Sequence, residues 1–238
     1  MMQLARDDIV ATHTDAEIYG AHVALDDRDI VELGCGAAAH TRAIGGGGHG
    51  RRVTAFEVDR VQHERNLAHN DLPNVTFRYG GAERIDLPDT STDVVMMFKS
   101  LHHVPLAELD NALAEIARIL RPGGVLYVSE PIFAGDFNDV IRLFHDEQAV
   151  REAAFAALTR AIERGLFELV EQIFFRSPVH FDDFADFERR IIGATHTEHR
   201  LDDVTLARVR RAFEPHQGPD GAGFLAPMRV DLLRKPRA

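Results

Sequence analysis

Cysteine is almost absent from this chain of 238 residues, and Cys35 is the single one. That excludes an internal disulfide and any metal cage built of cysteine alone. Basic charge is scarce too: 27 Lys and Arg stand against 38 Asp and Glu, for a formal net charge of −11. Contact with a nucleic-acid backbone needs a basic stripe. Here the basic groups are scattered as Arg51-Arg52, Arg189-Arg190, Arg210-Arg211 and a tail, Arg234-Lys-Pro-Arg237. No nucleic-acid partner is expected. No apolar run reaches the length of a membrane span, so no membrane partner is expected. Met1-Met-Gln-Leu-Ala-Arg-Asp-Asp lacks the charged-then-apolar layout of a leader, and the expectation is a cytoplasmic protein. Repeats are absent. Nothing in the pattern fixes an oligomeric state.

Hydrophobic residues make up 45% of the chain, enough for the core of one large α/β domain. Strands alternate with helices through the first half. Strands are expected at Ile30–Leu33, Val53–Val58, Val75–Tyr79, Asp93–Phe98 and Val125–Ser129. Helices are expected at Arg60–Asn70 and Leu106–Leu120, the latter with Leu109, Leu113, Ile116 and Leu120 on one face. Arg121-Pro-Gly-Gly124 stops it, and Gly45–Gly48 reads as a loop. The second half holds a helical stretch over Asp139–Leu166, a strand at Leu169–Phe175 and helices at Asp182–Ile192 and Asp202–Phe213. A loop at Glu214–Gly223 and a last strand at Met228–Leu233 follow. This order predicts a single α/β domain over residues 1–238, with a Rossmann-like, seven-stranded, mostly parallel sheet and helices on both faces. Residues 28–131 form its core, a helical insertion covers about 131–168, and 169–238 completes the sheet and the substrate side.

Ligands on such sheets bind at the carboxyl ends of the strands, and chemistry-bearing residues follow each strand. After the first comes Asp29-Ile-Val-Glu-Leu-Gly-Cys-Gly-Ala-Ala-Ala39, with glycines at 34 and 36 that let backbone approach a nucleotide. Gly34, Gly36 and Ala39 also fit the looser dinucleotide pattern. Glu32 tilts the reading, because a carboxylate repels a pyrophosphate and suits an ammonium or sulfonium. Cys35 is a small residue beside the cofactor. Glu57 ends the second strand, placed to accept hydrogen bonds from ribose hydroxyls, while Asp59 reads as a helix N-cap. Gly80-Gly-Ala-Glu-Arg-Ile-Asp-Leu-Pro88 follows the third strand, and its Ala82 and Glu83 are candidates for the adenine edge. Phe98-Lys-Ser-Leu-His-His-Val104 follows the fourth. His102 and His103 are the candidate general bases, and Lys99 is grouped with the cofactor residues. Glu130 ends the fifth strand. With Phe133 and Asn138 it is a candidate for the acceptor side.

Taken together, Glu32-Leu-Gly-Cys-Gly36, Glu57, Gly80–Val95, Leu101-His-His-Val104 and Leu120-Arg-Pro-Gly-Gly-Val125 resemble the class I methyltransferases dependent on S-adenosylmethionine (SAM). The nearest likeness is the small-molecule group that includes the ubiquinone/menaquinone methyltransferases. The resemblance covers roughly residues 28–131. It implies SAM as cofactor and in-line transfer of a methyl group to a small-molecule acceptor on O, C or N, a step that needs no metal. Two departures stand out. Gly81 occupies a position where the family usually has an acid for the adenine amino group, so backbone at Ala82 or the Glu83 side chain takes its place. There is also no Asn/Asp-Pro-Pro-aromatic run after the fourth strand, which argues against base or amide nitrogens as acceptors. A nicotinamide-dependent oxidoreductase and a non-catalytic SAM-binding module remain as alternatives. His196 and His199 have a ligand-like spacing but lack a third partner, and no metal site is expected.

Overall fold

The computed structural model describes residues 2–193 and 201–237. In chain order its elements are α1 (Asp15–His22), β1 (Asp29–Leu33), α2 (Ala39–Gly46), β2 (Arg52–Glu57), α3 (Arg60–Ala68), β3 (Val75–Tyr79), β4 (Thr92–Phe98), α4 (Leu109–Ile119) and β5 (Leu120–Pro131). Then follow α5 (Asp136–Ile141), α6 (Gln148–Glu163), β6 (Glu168–Phe181), α7 (Phe184–Phe187), α8 (Asp203–Phe213), β7 (Gln217–Gly218) and β8 (Gly221–Arg234).

The sheet runs β3-β2-β1-β4-β5-β8-β6, with β7 paired to β8 off that path. β1 to β5 pair in parallel, and β8 lies antiparallel between β5 and β6. The chain leaves β1 toward β2 on one side and enters β4 on the other. The crevice at the carboxyl ends of β1 and β4 is therefore the switch point where ligands bind. β1 and β4 are short apolar runs buried along nearly their whole length, as expected of central parallel strands covered on both faces.

One face of the sheet packs Val31, Leu33, Val95 and Met97 against Leu113 and Ile116 of α4 and Ala157 and Leu158 of α6. The other packs Ile30, Val53, Val94 and Met96 with Ile18 and Tyr19 of α1 and Ile44 of α2. α6 is thus a sheet-covering layer as well as part of the helical stretch after β5. Phe181, Phe184, Phe187, Phe213 and Phe224 form a third cluster around the far ends of β6 and β8.

Local chemistry explains several boundaries. Thr14 and Glu17 form a reciprocal capping box at α1, and Asp59 accepts from the N–H groups of Val61 and Gln62 at α3. Gly45 and Gly46 lie in α2 and not in a loop. The reason is contact: a Cβ at Gly45 would stand 2.5 Å from Val75 Cγ2, so glycine lets α2 lie close on β3. The stretch read as one helix over Asp182–Ile192 is α7 followed by a π-helical turn, Glu188–Ile192. β8 starts at Gly221, seven residues ahead of the expected Met228, because β6 pairs with it along its length.

Candidate active site

The glycine turn leaves β1 with Gly34 at φ +72° and Gly36 at φ +51°. A Cβ at Gly34 would lie 2.7 Å from Ser100 Cβ, whereas nothing lies within 4 Å of one at Gly36. Ser100 Oγ donates to Leu33 O at 2.7 Å, tying the turn to the segment after β4. Both Gly34→Ala and Gly36→Ala therefore incur about 1–2 kcal/mol for a left-handed alanine. Gly34→Ala alone adds a steric conflict, so chemical denaturation should find it the less stable of the two.

Two buried carboxylates serve this turn. Glu57 Oε2 accepts from Gly36 N–H at 2.6 Å, and its Oε1 accepts from Val58 and Asp59 N–H, both at 2.9 Å. Glu32 accepts from the Thr41 hydroxyl of α2 at 2.5 Å. Burial pushes the Glu32 carboxyl up, Thr41 pulls it back, Glu57 adds repulsion, and the result is about 7. Cys35 is buried, and burial raises its thiol far above the reactive range. Asn66 of α3 donates to Gly36 O at 2.8 Å. Ala82 is buried in the core cluster under α4. The Glu83 carboxylate fills the space where a Gly81 side chain would begin.

Lys99 is exposed and left-handed at φ +54°, a strained conformation for a side-chain-bearing residue. Its N–H donates to Ser129 O at 2.7 Å, which holds β4 to β5 at this point. It lies between the glycine turn, through Ser100, and a cavity of about 220 Å³. That cavity is lined by Lys99, His102, His103, Asn138, His145 and Glu147, with apolar walls from Phe137, Ile141, Phe144 and Met228.

At its floor, His102 is 4% exposed and sits between two carboxylates. Its Nδ1 makes a short bond to Glu130 Oε2, and its Nε2 lies 3.5 Å from Glu147 Oε1. Glu130 Oε1 accepts from Leu101 N–H at 3.0 Å. Glu147 Oε2 accepts from Arg151 at 2.6 Å, and its Oε1 is 2.9 Å from His145 Nε2. Burial favours the neutral imidazole, but the two carboxylates overcome it and raise His102 to about 9. Both acids are held below their usual range: burial opposes this, and His102 outweighs it, joined by Leu101 N–H at Glu130 and by Arg151 at Glu147.

The structure brings His102, His103, Lys99 and Asn138 to one cavity wall. Glu130 lies behind His102 and not on that wall. Phe133 lines a separate cavity of about 110 Å³ with Glu130 and Arg229, and the Arg142 guanidinium lies 5.2 Å from its ring centroid. Sequence reasoning missed Thr41, Glu147 and Arg151. Thr41 carries no signal beyond its place one turn into a helix. Glu147 and Arg151 have the i, i+4 spacing of an ion pair at the start of α6. His196 and His199 lie outside the described residues.

A family model described as a methyltransferase domain matches residues 31–128. That match and the relatives that follow support a class I, SAM-dependent methyltransferase domain in this part of the chain. A "probable S-adenosylmethionine-dependent methyltransferase/" of Mycolicibacterium smegmatis is 33% identical over 151 residues, covering 61% of this chain and 54% of that protein. A phthiotriol/phenolphthiotriol dimycocerosates methyltransferase 1 of Mycobacterium ulcerans is 31% identical over 129 residues, covering 52% and 44%. The chain thus spans about half the length of these curated relatives. A "putative methyltransferase" of Bacillus halodurans C-125, known from its crystal structure, superposes with a TM-score of 0.64 at 17% identity. It covers 93% of this chain and 99% of that one. At that identity the likeness is one of fold.

The methyltransferase turn itself tests the fit of the family's cofactor. A dinucleotide would bring its pyrophosphate to the N–H groups of such a turn. Here Gly36 N–H is already taken by the protein's own carboxylate, Glu57, and Glu32 lies buried beside it. The donor set repels phosphate and suits a ligand with an ammonium, a sulfonium and ribose hydroxyls. Among the described residues, no helix is long and apolar enough to cross a membrane.

Proposed function

We propose that this chain transfers a methyl group from SAM to a small-molecule acceptor held in the cavity beside His103, and that it works in the cytoplasm. When bound, SAM supplies an electrophilic methyl on a sulfonium. The chain's residues position the partners and exclude water. Glu57 orients the ribose, Glu32 meets the ammonium, and Ala82 backbone and Glu83 meet the adenine edge in place of an acid at 81. The observation that carries the reading is the pair of buried carboxylates at the glycine turn, joined through Ser100 and Lys99 to the cavity. A His102 held protonated has no lone pair at the cavity, so it fixes the floor and His103 is the base for an acidic hydroxyl. Asn138 lines the acceptor side; Glu130 orients His102, and Phe133 supports the arginine next to it.

Apolar walls with Lys99 and His103 among the lining favour an acceptor with an apolar body and an oxygen to be methylated. The test is to incubate the full chain with methyl-labelled SAM and a panel of apolar phenols, enols and carboxylic acids, with mass spectrometry of the products. Labelled ether, ester or C-methyl product supports the reading. SAM bound with no transfer to any acceptor class would favour the non-catalytic module.

Glu32 adds a pH dependence. A cationic ligand favours its carboxylate form, so below pH 7 binding must displace a proton. SAM affinity should be level above about pH 7 and fall by up to tenfold per unit beneath it. Glu32→Gln should flatten that profile. For the ligand-free fold the sign is opposite. The folded value lies above the unfolded one, so this group's contribution to stability is present below about pH 4.5 and lost as pH rises through 7.

A further inference from the structure

The floor of the acceptor cavity has the donor set of a metal centre. The ligating atoms of His102, His103 and Glu147 lie within 4.8 Å of one another. Zinc bonds of about 2.0–2.1 Å in tetrahedral geometry separate two ligand atoms by about 3.4 Å. His102 Nε2 and Glu147 Oε1 are 3.5 Å apart. The surroundings are those of a ligand set as well. Glu130 holds His102 Nδ1, which presents Nε2 to the cavity in the carboxylate–histidine arrangement that orients metal-bound imidazoles. Leu101 N–H in turn holds Glu130. Arg151 takes Glu147 Oε2, and Oε1 faces His102 Nε2 at 3.5 Å and His145 Nε2 at 2.9 Å. Two imidazoles and one carboxylate next to a cavity match the three-ligand pattern of catalytic zinc, whose fourth position is open.

We propose that His102, His103 and Glu147 bind one divalent transition metal of the zinc type, with the fourth position facing the cavity for an acceptor oxygen. Methyl transfer itself needs no metal; in the metal-bound chain the ion displaces the proton on His102 Nε2 and replaces His103 as the activating group, polarising an acceptor hydroxyl, whose proton goes to solvent, and fixing its oxygen toward the methyl donor. That role rests on the methyltransferase reading above, whereas metal binding does not.

The test uses the full chain, stripped with chelator and titrated with Zn2+ by calorimetry, then with Co2+ followed by its visible absorption. Binding of one ion per chain is expected, with Co2+ bands of a low-coordinate N/O site. Glu130→Gln should weaken binding roughly 10- to 100-fold through His102, and Glu147→Gln and His103→Ala by more. His103 is exposed, so its variant should keep the wild-type unfolding midpoint. Absence of Zn2+ heat, or binding unchanged in both ligand variants, would overturn the proposal. SAM titration of the same stripped protein separates the two readings: SAM heat without metal binding defeats only the metal site, and metal binding without SAM heat defeats only the methyltransferase reading.

Discussion

Glu57→Ala should weaken SAM binding by about 100-fold or more while leaving the chain folded. Glu57 does two jobs through one carboxylate. It accepts three backbone N–H groups, from Gly36, Val58 and Asp59, and so fixes the shape of the glycine turn relative to the end of β2. In the proposed reading its remaining lone pairs also accept hydrogen bonds from the ribose hydroxyls. A hydrogen bond to a charged group contributes about 1.5–3 kcal/mol, so losing two to the ribose amounts to about 3–6 kcal/mol, or roughly 10²- to 10⁴-fold. Relaxation of the turn works in the same direction. Glu57→Gln keeps the volume but turns one acceptor into a donor facing backbone N–H groups, and it should bind nearly as poorly. Calorimetry gives the affinity, and circular dichroism checks the fold. Unchanged affinity in Glu57→Ala would contradict the ribose assignment.

Removing Glu130 should cost the fold about 3–5 kcal/mol in chelator-treated protein, and removing His102 with it should cost less than the two single changes added together. Glu130 and His102 are 2% and 4% exposed and bonded to each other. A buried ionic pair contributes little net stability when whole, because desolvation offsets the attraction, but breaking it leaves a buried charge without its partner. In Glu130→Leu the Leu101 N–H also loses its acceptor. The double-mutant cycle of Glu130→Leu with His102→Leu, followed by urea unfolding, isolates the coupling. An interaction of 1 kcal/mol or more is expected, and additivity would show that the two side chains do not act as a unit.

How far the sequence carried this account differs from one half of the chain to the other. β2, β3 and β4 lie within a residue of their expected bounds, because central parallel strands are short apolar runs closed by turn residues. Gly34, Gly36 and Glu57 were legible because a glycine turn needs its residues at fixed offsets from the strand. Asp59 capped α3 as its residue type suggests. α1 was not read, since its buried apolar residues, Ile18 and Tyr19, are adjacent and give no helical period. The expected strand at Met228–Leu233 was short because Gly221 and Gly223 fell in the stretch read as a loop, Glu214–Gly223. Pairing with β6 and β7 overrides that reading. Glu147 lies 45 positions from His102, and only the packing of α6 beside the segment after β4 brings them together. Such long-range meetings leave no local pattern, which is why the glycine turn and the His102-His103 pair were legible and the Glu147 contact was not.

The account turns on which nucleotide the Gly34–Gly36 turn accepts. The most direct measurement is calorimetric titration of the full chain with SAM and, separately, with NADH, at a pH above 7 where Glu32 is ionised. One SAM bound per chain, with no heat from NADH, is the predicted result. Tight NADH binding with no SAM heat would contradict it.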